Sequence, residues 1–154
     1  MKIKTEKSTY REVMARERNE RKKPVRPNIL FRSLIYILSQ PSMRRTHFSV
    51  RKKGMEKLGK KEPCLVLMNH SSFIDLKIAS TLLYPRPFNI ICEADGFVGK
   101  EWLMRQIGCI PTHKFVSETA LVKDMMYTVR TLKSSILLYP EASYSFDGTS
   151  PTPL

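Results

Sequence analysis

An apolar run that passes straight into a helical pattern constrains this chain more than any other feature. Cys64 to Met68 (CLVLM) reads as a buried strand, Asn69-His70-Ser71-Ser72 follows at once, and a helical pattern starts near Phe73. A strand that runs directly into a helix leaves its turn residues at the carboxyl edge of a sheet, where open α/β folds bind ligands. His70 sits in that turn and Asp75 lies five residues on, about one helical turn in. The imidazole can therefore face solvent or a substrate while the carboxylate reaches its other nitrogen.

Each of these residues also has a simpler reading. Ser72-Phe73-Ile74-Asp75 fits the capping-box pattern, in which a serine hydroxyl and an acidic side chain satisfy free N–H groups at a helix start. A single loop histidine is more often solvated than catalytic. Taken as His-x4-Asp on a strand-to-helix turn, the pair points to an oriented general base.

The chain around this turn repeats the same alternation. A helix is expected from Phe73 to Leu83, stopped by Pro85 and Pro87, and then a strand from Phe88 to Cys92 that delivers Glu93 and Asp95 to its carboxyl end. A helix from about Phe97 to Ile107 should end at Gly108 as its cap, and Cys109-Ile110 begins a short strand closed by Pro111. Ser117 opens a helix to about Leu132, and Ser135 to Tyr139 is the next buried strand. Strand and helix in alternation predict an α/β fold, a largely parallel sheet flanked by helices. In such a sheet His70, Glu93, Asp95 and Glu141 all gather at one edge, with Lys114 leaving a strand nearby, and together they outline one cleft.

Charge divides the chain differently. The formal net charge is +13, yet residues 1–61 hold 19 Lys and Arg against 5 Asp and Glu, while residues 62–154 hold 8 against 9. A basic leader on a near-neutral body reads as an electrostatic tether to a polyanion, either an anionic membrane surface or nucleic acid. Before Phe31 the leader has only Tyr10 as an aromatic, and no nucleic-acid motif follows, so nucleic acid is not an expected partner. Residues 1–27 form a charged leader, helical or disordered, without the apolar core of a signal peptide and with a hinge at Pro24 and Pro27. Residues 28–45 follow as an amphipathic helix, capped by Asn28, with Leu30, Leu34, Ile37 and Leu38 on one side. Its apolar stretch is too short to span a bilayer, which needs about 20 residues. With Arg26, Arg44, Arg45, Arg51 and Lys52 around it, the helix suits a membrane interface, and it equally suits packing on the domain's own core. Thr46 to Lys52 alternates through Phe48 and Val50 and predicts an edge strand, so the α/β domain is taken as residues 46–154.

Three cysteines, Cys64, Cys92 and Cys109, sit inside apolar runs, which fits reduced thiols in an intracellular protein better than a disulfide framework. Their spacing gives no zinc motif, and no metal is expected.

At this point the motifs resemble those of the glycerolipid acyltransferase family over roughly residues 48 to 148. NHSSFID resembles the family's first block, with Asn69, His70 and Asp75 in register. WLMRQIGCIPTHK resembles the second, with Gly108 matching and Lys114 standing where the family usually has Arg. YPEASYS resembles the third, with Pro140, Glu141 and Ser145 matching, although Ala142 replaces the family's Gly and Tyr144 its Arg. The family's fourth block, a later apolar strand with a Pro, is not found before Leu154, so the chain is expected to be an amino-terminal portion with an incomplete sheet.

The resemblance implies an enzyme that moves a fatty acyl group from an acyl thioester, on coenzyme A or an acyl carrier protein, to a hydroxyl of a glycerol-phosphate or lysophospholipid acceptor. His70 would be the general base and Asp75 its orienting acid. Asn69, Lys114, Glu141 and Ser143 would bind substrate, with no metal and no cofactor. The implied location is cytoplasmic and peripheral, on an anionic membrane surface. An inactive relative, a thioester hydrolase and a non-enzymatic basic binding protein are the competing readings.

Overall fold

In the computed structural model, residues 22–59, 61–71, 74–93, 99–112 and 119–140 are described. Asn28 is the N-cap of the first helix, as its position predicts: its backbone is extended and its Oδ1 accepts the Leu30 N–H at 2.8 Å. From there α1 runs Ile29–Arg45, well past the apolar stretch that announces it and through Pro41. Arg44 and Arg45 occupy the last turn, where cations meet the carbonyl end of the helix dipole.

The strand expected over Thr46 to Lys52 does not form. Thr46 caps α1, His47 takes a left-handed backbone (φ +49°), and the Phe48 N–H returns to the Met43 carbonyl. The start of the run is therefore spent closing the helix, and Ser49 to Lys53 is exposed. Alternation makes a strand only where one face is buried, and here neither face is.

Among the described residues four strands follow: β1 (Leu65–Leu67), β2 (Phe88–Glu93), β3 (Cys109–Thr112) and β4 (Ser135–Leu138). All pair in parallel, in the order β1-β4-β2-β3, with Leu65 opposite Ile136, Phe88 opposite Ser135, and Ile90 opposite Cys109. Between them run α2 (Ile74–Leu83), α3 (Glu101–Ile107) and α4 (Thr119–Arg130), with a short 3-10 turn at Met55–Lys57 ahead of β1. The fold is thus the α/β arrangement that the alternation of elements predicts.

Several boundaries and positions differ from expectation for physical reasons. The 64–68 run is an edge strand rather than a buried one, with Leu65 and Leu67 both more than half exposed. A continuous apolar run does not say whether both faces are covered. Pro111 lies inside β3 instead of closing it, which an edge strand tolerates because the missing N–H can face solvent. The third helix starts at Glu101, since Gly99 turns the chain at φ +78° just before it, and Gly108 ends it at φ +101° as expected. Ser72 and Phe73, Asp95 and Phe97, and Ser117 lie outside the described residues.

Two apolar layers hold the sheet. On one face Ala79 of α2 meets Ile90, Cys109 and Leu137. On the other, Ile91, Ile110 and Ile136 are covered by Leu121, Met125 and Val129 of α4. Alongside α2 lies α1, antiparallel to it: Arg32 donates to the Pro85 carbonyl (2.8 Å), Gln40 to Thr81 (3.5 Å) and Lys77 to Ser42 (2.7 Å).

Residues 22–28, where a hinge is expected, are instead strapped across the amino ends of the strands. Pro24 and Pro27 are buried, Asn89 donates to the Val25 carbonyl (2.9 Å), and Arg105 donates to the Lys23 carbonyl (2.8 Å). The Asn28 N–H reaches the Gln106 carbonyl (3.1 Å), and Pro27 lies so close to Gly108 that a Cβ there would stand 2.4 Å from its ring. That close approach, together with the positive φ, requires glycine.

Candidate active site

The carboxyl edge of the sheet is built where β1 hands the chain to α2. The Met68 N–H bonds to the Leu138 carbonyl (3.1 Å), extending the β1–β4 pairing to the point where Asn69, His70 and Ser71 turn toward the helix. Asp75 falls in the first turn of α2, where a negative charge is favoured by the helix dipole. It is also buried, at 3% exposure, so its charge needs partners.

A single carboxylate oxygen meets that need twice. Asp75 Oδ2 accepts the Ser71 N–H at 2.8 Å and lies 2.9 Å from His70 Nδ1. A carboxylate can only accept, so Nδ1 carries the proton and Nε2 carries the basic lone pair. The two readings of Asp75 as turn-holder and as orienting acid are therefore one contact with two donors. His70 itself is half-buried, and its ring stacks on Tyr139 at 4.2 Å between centroids and 27° between planes. Tyr139 follows β4, whose last residue Leu138 is opposite Leu67, so the strand beside β1 supplies the wall behind the imidazole.

Tyr139 is the residue that reading the sequence missed as part of the site. It closes an apolar run and carries no motif of its own. Only the strand order, with β4 beside β1, brings it to His70.

The other expected residues fall as follows. Asn69 is exposed on the turn directly before His70. Glu93 is the last residue of β2, half-buried and opposite Thr112, at the same edge. Lys114, Glu141 and Ser143 lie outside the described residues. Among the described residues, no three His, Cys, Asp or Glu side chains gather as a metal-binding group. Beneath the edge, Cys92 donates to Cys109 Sγ at 3.2 Å. That contact and then burial push the Cys92 thiol far above its ordinary range, so it stays protonated.

An aspartate-held imidazole at the mouth of a parallel sheet is equipped to take a proton from a substrate hydroxyl and return it to a leaving group. The family model described as Acyltransferase matches residues 49–150, which takes in every strand among the described residues and the whole of the His70 turn. No curated protein and no solved structure matches the chain. With two thirds of its length inside that one model, and with the strand-turn-helix that carries His70 and Asp75 within the match, the chain belongs to the acyltransferase family.

Proposed function

We propose that the protein transfers a fatty acyl group from an acyl thioester, on coenzyme A or an acyl carrier protein, to the hydroxyl of a glycerol-phosphate or lysophospholipid acceptor. The observation that carries this reading is the 2.9 Å contact between Asp75 and His70 at the carboxyl edge of the sheet. Nε2 of His70 takes the acceptor's hydroxyl proton as that oxygen attacks the thioester carbonyl carbon. Asp75 holds the Nδ1 proton and stabilises the imidazolium that results. The tetrahedral intermediate then collapses, the C–S bond breaks, and the imidazolium returns its proton to the departing sulfur.

The nucleophile is the substrate's own hydroxyl, so no protein nucleophile is required. The protonated Cys92 thiol is unsuited to that role in any case. Tyr139 fixes the plane of the imidazole by stacking, and Asn69, assigned to substrate binding, is exposed directly before the base in sequence. Lys114, Glu141 and Ser143 are assigned to substrate binding through their places in the family blocks. Tyr144 cannot give the bidentate grip on phosphate that an arginine gives, so Lys114 is left to supply the charge as a point cation.

Thiol release from an acyl thioester, measured with glycerol-3-phosphate, lysophosphatidic acid and phosphate-free lysolipids as acceptors, tests the reading. Acceptor-dependent release is expected, falling about 10²- to 10⁴-fold in His70→Ala. Release that His70→Ala leaves unchanged would overturn the assignment of the base. Equal release with and without acceptor would instead make the protein a thioester hydrolase.

A further inference from the structure

Taking a proton turns the His70 ring from a neutral group into a cation, and its surroundings decide how readily that charge forms. In the plane of the imidazole stands Asp75, whose Oδ2 lies 2.9 Å from Nδ1. Over the face of the imidazole lies the Tyr139 ring, 4.2 Å away between centroids and 27° from parallel. The His70 side chain is 24% exposed, so water screens neither contact fully.

A stacked pair of neutral rings is held mainly by dispersion. Once one ring is a cation the contact changes character, because the face of a phenol ring is the negative side of its quadrupole and attracts positive charge within about 6 Å. The contact is therefore stronger after proton transfer than before it. Only an interaction of that kind speeds a chemical step, since one that is equal in both states favours them alike.

The ring is also fixed in place. Tyr139 packs on Ala79, Ile90, Cys109 and Leu137, so the core of the sheet holds it against the imidazole. Neighbouring ionisable groups do not take over its part. Cys92 shares the same apolar layer but is neutral, its thiol kept protonated by Cys109 and by burial. Lys77, two residues past Asp75, sends its ammonium to Ser42 Oγ on α1 at 2.7 Å. Ile91 faces the layer under α4, and Glu93, two residues on in the same strand, alternates onto that face and away from Tyr139.

We propose that Tyr139 is a positioning residue that acts on the transfer through His70: the face of its ring stabilises the imidazolium formed when Nε2 accepts the substrate's hydroxyl proton. This role rests on His70 being the base. Asp75 steadies the cation from its edge and Tyr139 from its face. The proton passes from the hydroxyl oxygen to Nε2 and then to the departing sulfur, and Tyr139 neither gives nor takes one.

The test is thiol release by the full chain at saturating donor and acceptor, with His70→Ala measured alongside. Tyr139→Leu, which fills much of the space without a π face, should lower kcat about 2- to 30-fold and leave KM for both substrates unchanged. Tyr139→Phe restores the ring and should recover most of that loss. Phenylalanines with one, two and three ring fluorines, placed at position 139, keep the shape while draining negative charge from the face, so log kcat should fall with each fluorine. That series decides the matter even where Tyr139→Leu lowers the unfolding midpoint. A kcat that stays flat across the fluorines would overturn the proposal and leave Tyr139 as a packing wall. A loss in Tyr139→Phe equal to that in Tyr139→Leu would overturn it in favour of the hydroxyl, and a raised KM with kcat intact in favour of a substrate-binding surface. Release that His70→Ala leaves unchanged would remove the base and this role together, whereas His70-dependent release with a flat fluorine series removes this role alone.

Discussion

Two helices of this protein carry the same pattern and use it in opposite ways. Leu121, Met125 and Val129 on α4 recur at intervals of four, and so do Leu30, Leu34 and Leu38 on α1. On α4 the stripe covers Ile91, Ile110 and Ile136 and closes one face of the sheet. On α1 the stripe faces outward, and the helix is seated by buried Met43, by Tyr36 stacked on Tyr84, by hydrogen bonds from its polar residues and by the strap that leads into it. Arg32 shows what the polar groups among them cost. Its guanidinium is held below its ordinary pKa by burial and by Arg26, and its Nε is buried with no partner among the described residues. Periodicity defines a stripe; what the stripe faces is decided by what else is there to cover it.

The contrast can be broken at three points. The largest effect belongs under α4: Ile136→Ala should cost about 2–5 kcal/mol, read as a lower denaturant midpoint, because the side chain is 2% exposed and the sheet cannot collapse onto the gap. A neutral result there would mean that α4 does not close the core. Next comes the strap. Gly108→Ala sets a Cβ against Pro27 at a positive φ and should cost about 1–3 kcal/mol, with α1 becoming more open to hydrogen exchange than α4. Equal protection of both helices would show that α1 does not depend on the strap. Leu38→Ala should be smallest, within about 0.5 kcal/mol of wild type, because the side chain is already in solvent. A loss like that at Ile136 would place Leu38 in a buried contact and end the comparison.

Legibility varied with how local the cause was. Helix ends were readable because caps are decided within a few residues: Asn28 opens α1, Gly108 ends α3, and Pro85 lies just beyond α2. The His70–Asp75 pair was readable for the same reason, since five residues across a strand-to-helix turn leave little freedom. The expected strand at 46–52 failed because alternation is only half of a strand's requirement, and the other half is a surface to bury. Tyr139 was invisible because its role depends on β4 lying beside β1, across some seventy residues of chain.

Asn89 shows the same divide in one residue. In sequence it is a polar break early in an apolar strand. In the fold it is buried, and its amide holds the Val25 carbonyl and with it the strap across the amino ends of the strands. Nothing near position 89 announces a partner 64 residues away.

By itself the amino-acid sequence determined the α/β alternation, the helix caps, and an imidazole and a carboxylate close enough to meet, because each follows from backbone geometry over a few residues. The tertiary structure alone decided the strand order, the aromatic wall behind His70, and the outward turn of α1. Those depend on which surfaces remain to be covered once the sheet has formed, and burial is a property of the whole chain.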